Sequence, residues 1–184
     1  MSKIDVLPIV ARHFETLRDH ASGKRSAADL FIFFGVPLLA SGAAFYYRIT
    51  LTSDALNAVL ASFSIFAGLL LNLLLLVYAR AGEDVKSDMF AANIKRFVRQ
   101  LSENIEFAVL VSVFVVIFSL IATATLKRGP GPDVIPHASL TITVILVFLT
   151  TNFLLTLLMV LKRMQAMLLE KLDRTSSSSL KKVS

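Results

Sequence analysis

Residues 55–79 read ALNAVLASFSIFAGLLLNLLLLVYA, an apolar run without one charged side chain. A helix of about 20 such residues crosses the hydrocarbon core of a bilayer, so this stretch reads as a transmembrane helix. Three more stretches of the same kind lie at residues 30–47, 107–126 and 138–161. The chain is therefore read as all-α, a polytopic membrane protein with four transmembrane helices and amphipathic cytoplasmic helices. With 55% hydrophobic residues and a mean hydropathy of +0.72 over 184 residues, it has little length left for a soluble domain of ordinary size.

The basic residues orient the spans. Lys3, Arg12, Arg18, Lys24 and Arg25 precede the first; Arg80, Lys86, Lys95, Arg96 and Arg99 lie between the second and third; Lys162, Arg163, Lys171, Arg174, Lys181 and Lys182 follow the fourth. The opposite side holds Arg48, Lys127 and Arg128. The positive-inside rule then places both termini and the central loop in the cytoplasm of a bacterial-type inner membrane. The first stretch reads as a span and not a cleaved signal, because its charged leader is long and a second span follows at once. Five segments result: a leader (1–29), a first hairpin (30–79), a loop (80–106), a second hairpin (107–161) and a basic tail (162–184). The net charge of +6 suits anionic lipid headgroups. No basic stripe interleaved with aromatics points to nucleic acid.

The leader carries Leu7, Val10, Phe14, Leu17 and Ala21 at helical spacing, opposite Asp5, Arg12, Glu15, Arg18 and Asp19. That pattern predicts an amphipathic helix lying on the headgroups or against the rest of the protein. Ser22-Gly23-Lys24-Arg25 breaks it, and Ser26 with Asp29 resembles a capping box for the first span. In the central loop, Phe90, Ile94, Phe97 and Leu101 predict a second helix on the membrane surface. After the fourth span the pattern continues through Met164, Met167, Leu168 and Leu172, which predicts a helix projecting into the cytoplasm with an apolar stripe for a protein partner. Thr175 and the serines after it read as a flexible tail.

A displacement of 80 residues lays Phe14 on Ile94, Phe34 on Phe114, Arg48 on Arg128, Leu69 on Leu149 and Asn72 on Asn152. Shared periodicity and a true duplication both account for this.

None of the four stretches contains Asp, Glu, Lys, Arg or His. Pumps, proton-coupled carriers and intramembrane metalloenzymes need such groups at depth, so the pattern argues against them. The chain has no cysteine and hence no disulfide or thiolate site. His13 and His20 are too far apart along one helix to share an ion, and His137 stands alone in an external turn; all three are expected to face solvent or headgroups. No phosphate loop, serine elbow or carboxylate pair is present. The expectation is a protein without enzymatic activity or a cofactor.

The spans do carry small and weakly polar residues at helical spacing. Asn57, Ala61, Ser64, Gly68 and Asn72 share one face of the second; Ala108, Ser112, Ser119 and Thr123 share one of the third; Asn152 and Thr156 are a turn apart on the fourth. An unpaired amide is costly in hydrocarbon, and small side chains let backbones approach. These faces are expected to pack on helices and bond across them, or to line an oligomeric pore, with Asn72 and Asn152 foremost. Gly35 and Pro37 suggest a kink in the first span.

In layout alone the chain resembles small four-span membrane subunits of bacterial anti-phage cassettes. The resemblance implies a subunit that anchors a larger assembly at the inner membrane. Two functions stay open: such a scaffold, holding a cytoplasmic protein, or a homo-oligomeric pore or permeabilising effector. A homo-oligomer is expected.

Overall fold

A computed structural model describes residues 6–16, 27–81, 90–126 and 136–180. Its helices are α1 (Leu7–Thr16), α2 (Ala27–Tyr46), α3 (Ser53–Ala81), α4 (Phe90–Ala124) and α5 (Leu140–Leu180). No strand occurs among the described residues, only an isolated bridge between Thr52 and His137. The expected break at Ser22, the cap at Ser26, Lys127, Arg128, His20 and Lys181-Lys182 lie outside the described residues.

By length and composition, α3, α4 and α5 can cross a membrane, over Ser53–Ala79, Val98–Ala124 and Leu140–Gln165. In α2 the apolar helix is the shorter Phe31–Tyr46. It continues through Pro37, which is buried, so the proline is absorbed inside the helix.

At one end, the chain entering α3 meets the chain entering α5. The Ala138 amide donates to the Leu51 carbonyl at 2.8 Å, the Ser53 amide to the Pro136 carbonyl at 3.2 Å, and the Leu51 amide to Thr143 Oγ1 at 3.3 Å. Both helices start on a hydroxyl cap: the Ala55 amide donates to Thr52 Oγ1, and the Ile142 amide to Ser139 Oγ. At this same end α2 stops in a Schellman motif. The Ile49 amide reaches back to the Ala44 carbonyl at 2.9 Å and the Arg48 amide to that of Phe45 at 3.2 Å. Arg48 occupies the left-handed position at φ 52°, where glycine is the usual residue. Arg48→Gly is therefore expected to stabilise the protein by about 0.5–1 kcal/mol, relief of strain exceeding the added freedom of the unfolded chain. Thermal unfolding in micelles measures it, and an unchanged or lower Tm would show that the turn carries no strain.

α3 packs on α4, α4 on α5 and α5 on α2, while α1 lies on α4. Among the described residues, α2 and α3 do not pack on each other although they are consecutive. α4 is the central element: 39% of its apolar window is buried, against 28% for α5 and 11% for α3. Leu56, Ile105, Val115, Leu146 and Phe153 are fully buried in one core. Phe153 of α5 meets the rings of Phe63 and Phe66 of α3 at 4.8 and 5.6 Å, so α3 reaches α5 through aromatic side chains.

Two expectations change. The central segment is no separate surface helix: its residues from Phe90 are the first turns of α4. The tail is not flexible through its serines, because α5 runs to Leu180. Neither helix contains Gly or Pro, and extending a formed helix is easy where nothing stops it. The halves that an 80-residue shift aligns are packed differently. α4 and α5 pack on each other where α2 and α3 do not, and Asn152 is buried where Asn72 is exposed.

Candidate functional site

The polar side chains that join different helices gather at the end opposite the turns, around residues 99–107 of α4. The sequence there, Arg99-Gln100-Leu101-Ser102-Glu103-Asn104-Ile105-Glu106-Phe107, reads as the edge of a loop. In the structure it is the most enclosed part of α4: Leu101 through Ile105, Phe107 and Ala108 are all buried. α1, α2 and α5 place residues against it, and α3 reaches Glu106 at its edge.

From α1 comes His13, which is fully buried. Its Nδ1 lies 3.0 Å from Asn104 Oδ1, its ring stacks on Phe107 at 3.9 Å and 5°, and Phe33 of α2 closes in at 5.0 Å. The expectation of a histidine facing solvent or headgroups is thus overturned. α1 turns the face of Ile9, Val10 and His13 toward the protein and leaves Leu7 72% exposed, so the inward stripe is not the expected one through Leu7. The physical reason is that an imidazole offers a flat ring and a hydrogen bond together, and the slot between two phenyl rings beside an amide accepts both. Burial pushes the His13 pKa down to about 4, with the Asn104 bond opposing and Arg163 adding to the shift. The ring is neutral at pH 7.

From α3 comes Tyr78, whose hydroxyl donates to Glu106 Oε1. From α5 comes Arg163, whose guanidinium donates to the Gln100 carbonyl at 3.0 Å. Within α4, Arg99 pairs with the buried Glu103 at 2.9 Å. The membrane-length sections Val98–Ala124 and Leu140–Gln165 therefore do include ionisable groups, contrary to the sequence reading, which began the third span at Phe107. They sit at one end, and Arg99, Glu103, Glu106 and Arg163 are tied to partners. Among the described residues, no three His, Asp or Glu side chains converge to hold a metal ion.

The residues expected to pack helices or line a pore divide into two sets. Ser112, Ser119, Asn152 and Thr156 are buried inside the bundle, whereas Asn57, Ser64, Gly68 and Asn72 are exposed along α3. A Cβ at Gly68 would meet nothing within 4 Å. Among the described residues, the hydroxyls of this set do not bond across helices, and Ser119 Oγ has no hydrogen-bond partner. Ser64 donates to the Leu60 carbonyl, Ser112 to that of Val109 and Thr156 to that of Asn152, each within its own helix. A hydroxyl in an apolar setting can satisfy itself on the preceding turn, leaving only its small size for the neighbour. Asn152 has no such option, and its Oδ1 has no hydrogen-bond partner among the described residues. Asn152→Leu is therefore expected to be neutral or to stabilise the fold by up to about 1 kcal/mol. A loss above about 1 kcal/mol on unfolding in micelles would mean that the amide holds a hydrogen bond worth keeping.

Of the docking residues, Met164 packs partly on the core and Leu168 is exposed; the side chains of Met167 and Leu172 lie outside the described set. Sequence reasoning missed His13, Asn104, Glu106 and Tyr78. Glu103, Asn104 and Glu106 standing directly before an apolar stretch were the available signal. No protein family, curated protein or solved structure matches this chain.

Proposed function

We propose that this protein is a non-catalytic, four-span subunit of a bacterial-type inner membrane, with both termini cytoplasmic, and that it holds a cytoplasmic protein through the projecting end of α5. The observation that carries this reading is the length of α5. Its 41 residues measure about 62 Å, roughly twice a hydrocarbon core. Past Gln165 about 22 Å of helix remains, with Leu168 and Leu169 exposed on it. A rod of that length is more than an anchor requires, and exposed leucines beyond the apolar section call for a cover. The concentration of Lys and Arg on the same end supports the orientation, and reporter fusions at Asp133 and Lys95 read it out as external and cytoplasmic.

Charge substitution at Met164, Met167 and Leu168, and truncation after Arg163, test the docking role. The altered chains are expected to insert normally and lose their cytoplasmic partner. A truncated protein with full function and the parent's oligomeric state would overturn the role. The likeness in layout to anti-phage subunits extends the reading to defence, and phage plating efficiency on cells with and without the truncation measures that extension.

One observation favours the second reading, a homo-oligomer able to form a pore. Asn57, Ala61, Ser64, Gly68 and Asn72 are all exposed along α3, the least buried of the long helices. In hydrocarbon, an outward amide gains from a second copy of the helix. Asn72→Leu should leave protomer stability unchanged and weaken the oligomer by about 0.6 kcal/mol for each hydrogen bond lost. Altered conductance of reconstituted protein with the oligomer intact would favour the pore over the scaffold.

A further inference from the structure

Histidine is an unusual residue with which to seat a helix permanently. A phenylalanine would fill the slot between Phe33 and Phe107 without a titratable group, whereas His13 brings an imidazole and a bond to Asn104. Of the other described apolar side chains of α1, Ile9 and Val10 are only partly buried and Leu7 is exposed. We propose that α1 is a reversible strap across the end of α4, seated while His13 is neutral and released when the ring takes a proton, which uncovers Asn104, Phe33 and Phe107. This device does not depend on α5 docking.

Among the described residues, the charged and titratable groups near the slot come from α1, α3, α4 and α5. They are Arg12 on α1, Tyr78 on α3, Arg99, Glu103 and Glu106 on α4, and Arg163 on α5; α2 presents Phe33. Arg163 acts against a proton on His13, while burial strips the charge of water. Attraction of an imidazolium to the Phe107 face offsets about two- to fivefold. The ring titrates near 4 when seated and near 6.5 when free. Seating is thus at full strength above pH 6.5 and weakens as pH falls, about tenfold per unit, until the seated ring itself protonates near pH 4. The whole span amounts to about 300-fold.

The chain has no cysteine, so two introduced cysteines take labels uniquely. Nitroxides at Ala11→Cys and Gln165→Cys, both exposed positions, report the distance between α1 and α5 in the full chain in nanodiscs. A second pair at Ala58→Cys and Leu158→Cys monitors the bundle. Between pH 7.5 and 4.5 the first pair is expected to gain a longer, broader population while the second stays fixed. His13→Phe and His13→Gln, which cannot carry the charge, should hold one distribution throughout. A parent distribution unchanged down to pH 4.5, the same transition in either variant, or simultaneous movement of the bundle pair would overturn the proposal. If neither variant seats, the parent profile decides: a midpoint between pH 4 and 6.5 supports the strap, and any other result removes it.

Discussion

Phe153→Ala is expected to lower the free energy of unfolding by about 2–3 kcal/mol. The ring is fully buried and meets Phe63 and Phe66, the pair through which α3 reaches α5. Lipid tails are as apolar as a phenyl ring, so in a membrane protein the loss comes from the cavity and the vanished contacts rather than from transfer out of water. That places the effect at or below the lower end of the range for buried aromatic truncations. Leu154→Ala, one residue on and half exposed, is the control, with an expected loss under about 0.5 kcal/mol. Denaturation in mixed micelles followed by helicity compares the two. Equal losses would mean that α5 does not present Phe153 inward.

Arg163→Met is expected to cost about 2 kcal/mol, the scale of a hydrogen bond made by a charged group. The substitution removes the bond to the Gln100 carbonyl and a positive charge that interacts with the enclosed Glu103. Methionine keeps the length and apolar character of the side chain, so the loss reports polar contacts rather than packing. Arg163→Lys should recover only part, since an ammonium keeps the charge without the planar fork. The combination with Glu103→Gln should cost less than the two single changes added together, because each removes part of one electrostatic contact. Strict additivity would show that the two groups act independently. Removing Arg163 also lifts one of the two influences that depress His13, so the imidazole of Arg163→Met should titrate higher than in the parent.

The polar knot explains why the site was harder to see in the sequence than the fold. A buried Asn or His is recognisable only by its partner, and the partner of His13 lies 91 residues away. Glu103 and Glu106 belong to a segment whose charges also fit a solvated loop. What distinguishes the two cases is whether α1, α3 and α5 close over them. The same holds for Asn72 and Asn152. Each is a lone amide in an apolar helix, and only packing puts the first outside and the second inside.

The apolar helices and the placement of charge followed from the sequence, because they depend on local properties, runs of apolar residues and the uneven Lys and Arg; that residues 90–124 and 140–180 form single unbroken helices did not, although neither stretch contains Gly or Pro. The tertiary structure alone decided which face of each helix turns inward. In a chain whose spans are apolar all round, inner and outer faces carry the same residues, and the periodicity that marks a core in water is lost. It also decided that α3 reaches α5 while leaving α2, that the hydroxyls of Ser64, Ser112 and Thr156 bond within their own helices, and that α1 is held by a neutral histidine. Each of these is set by how closely separate helices approach, a distance that no local stretch of chain contains.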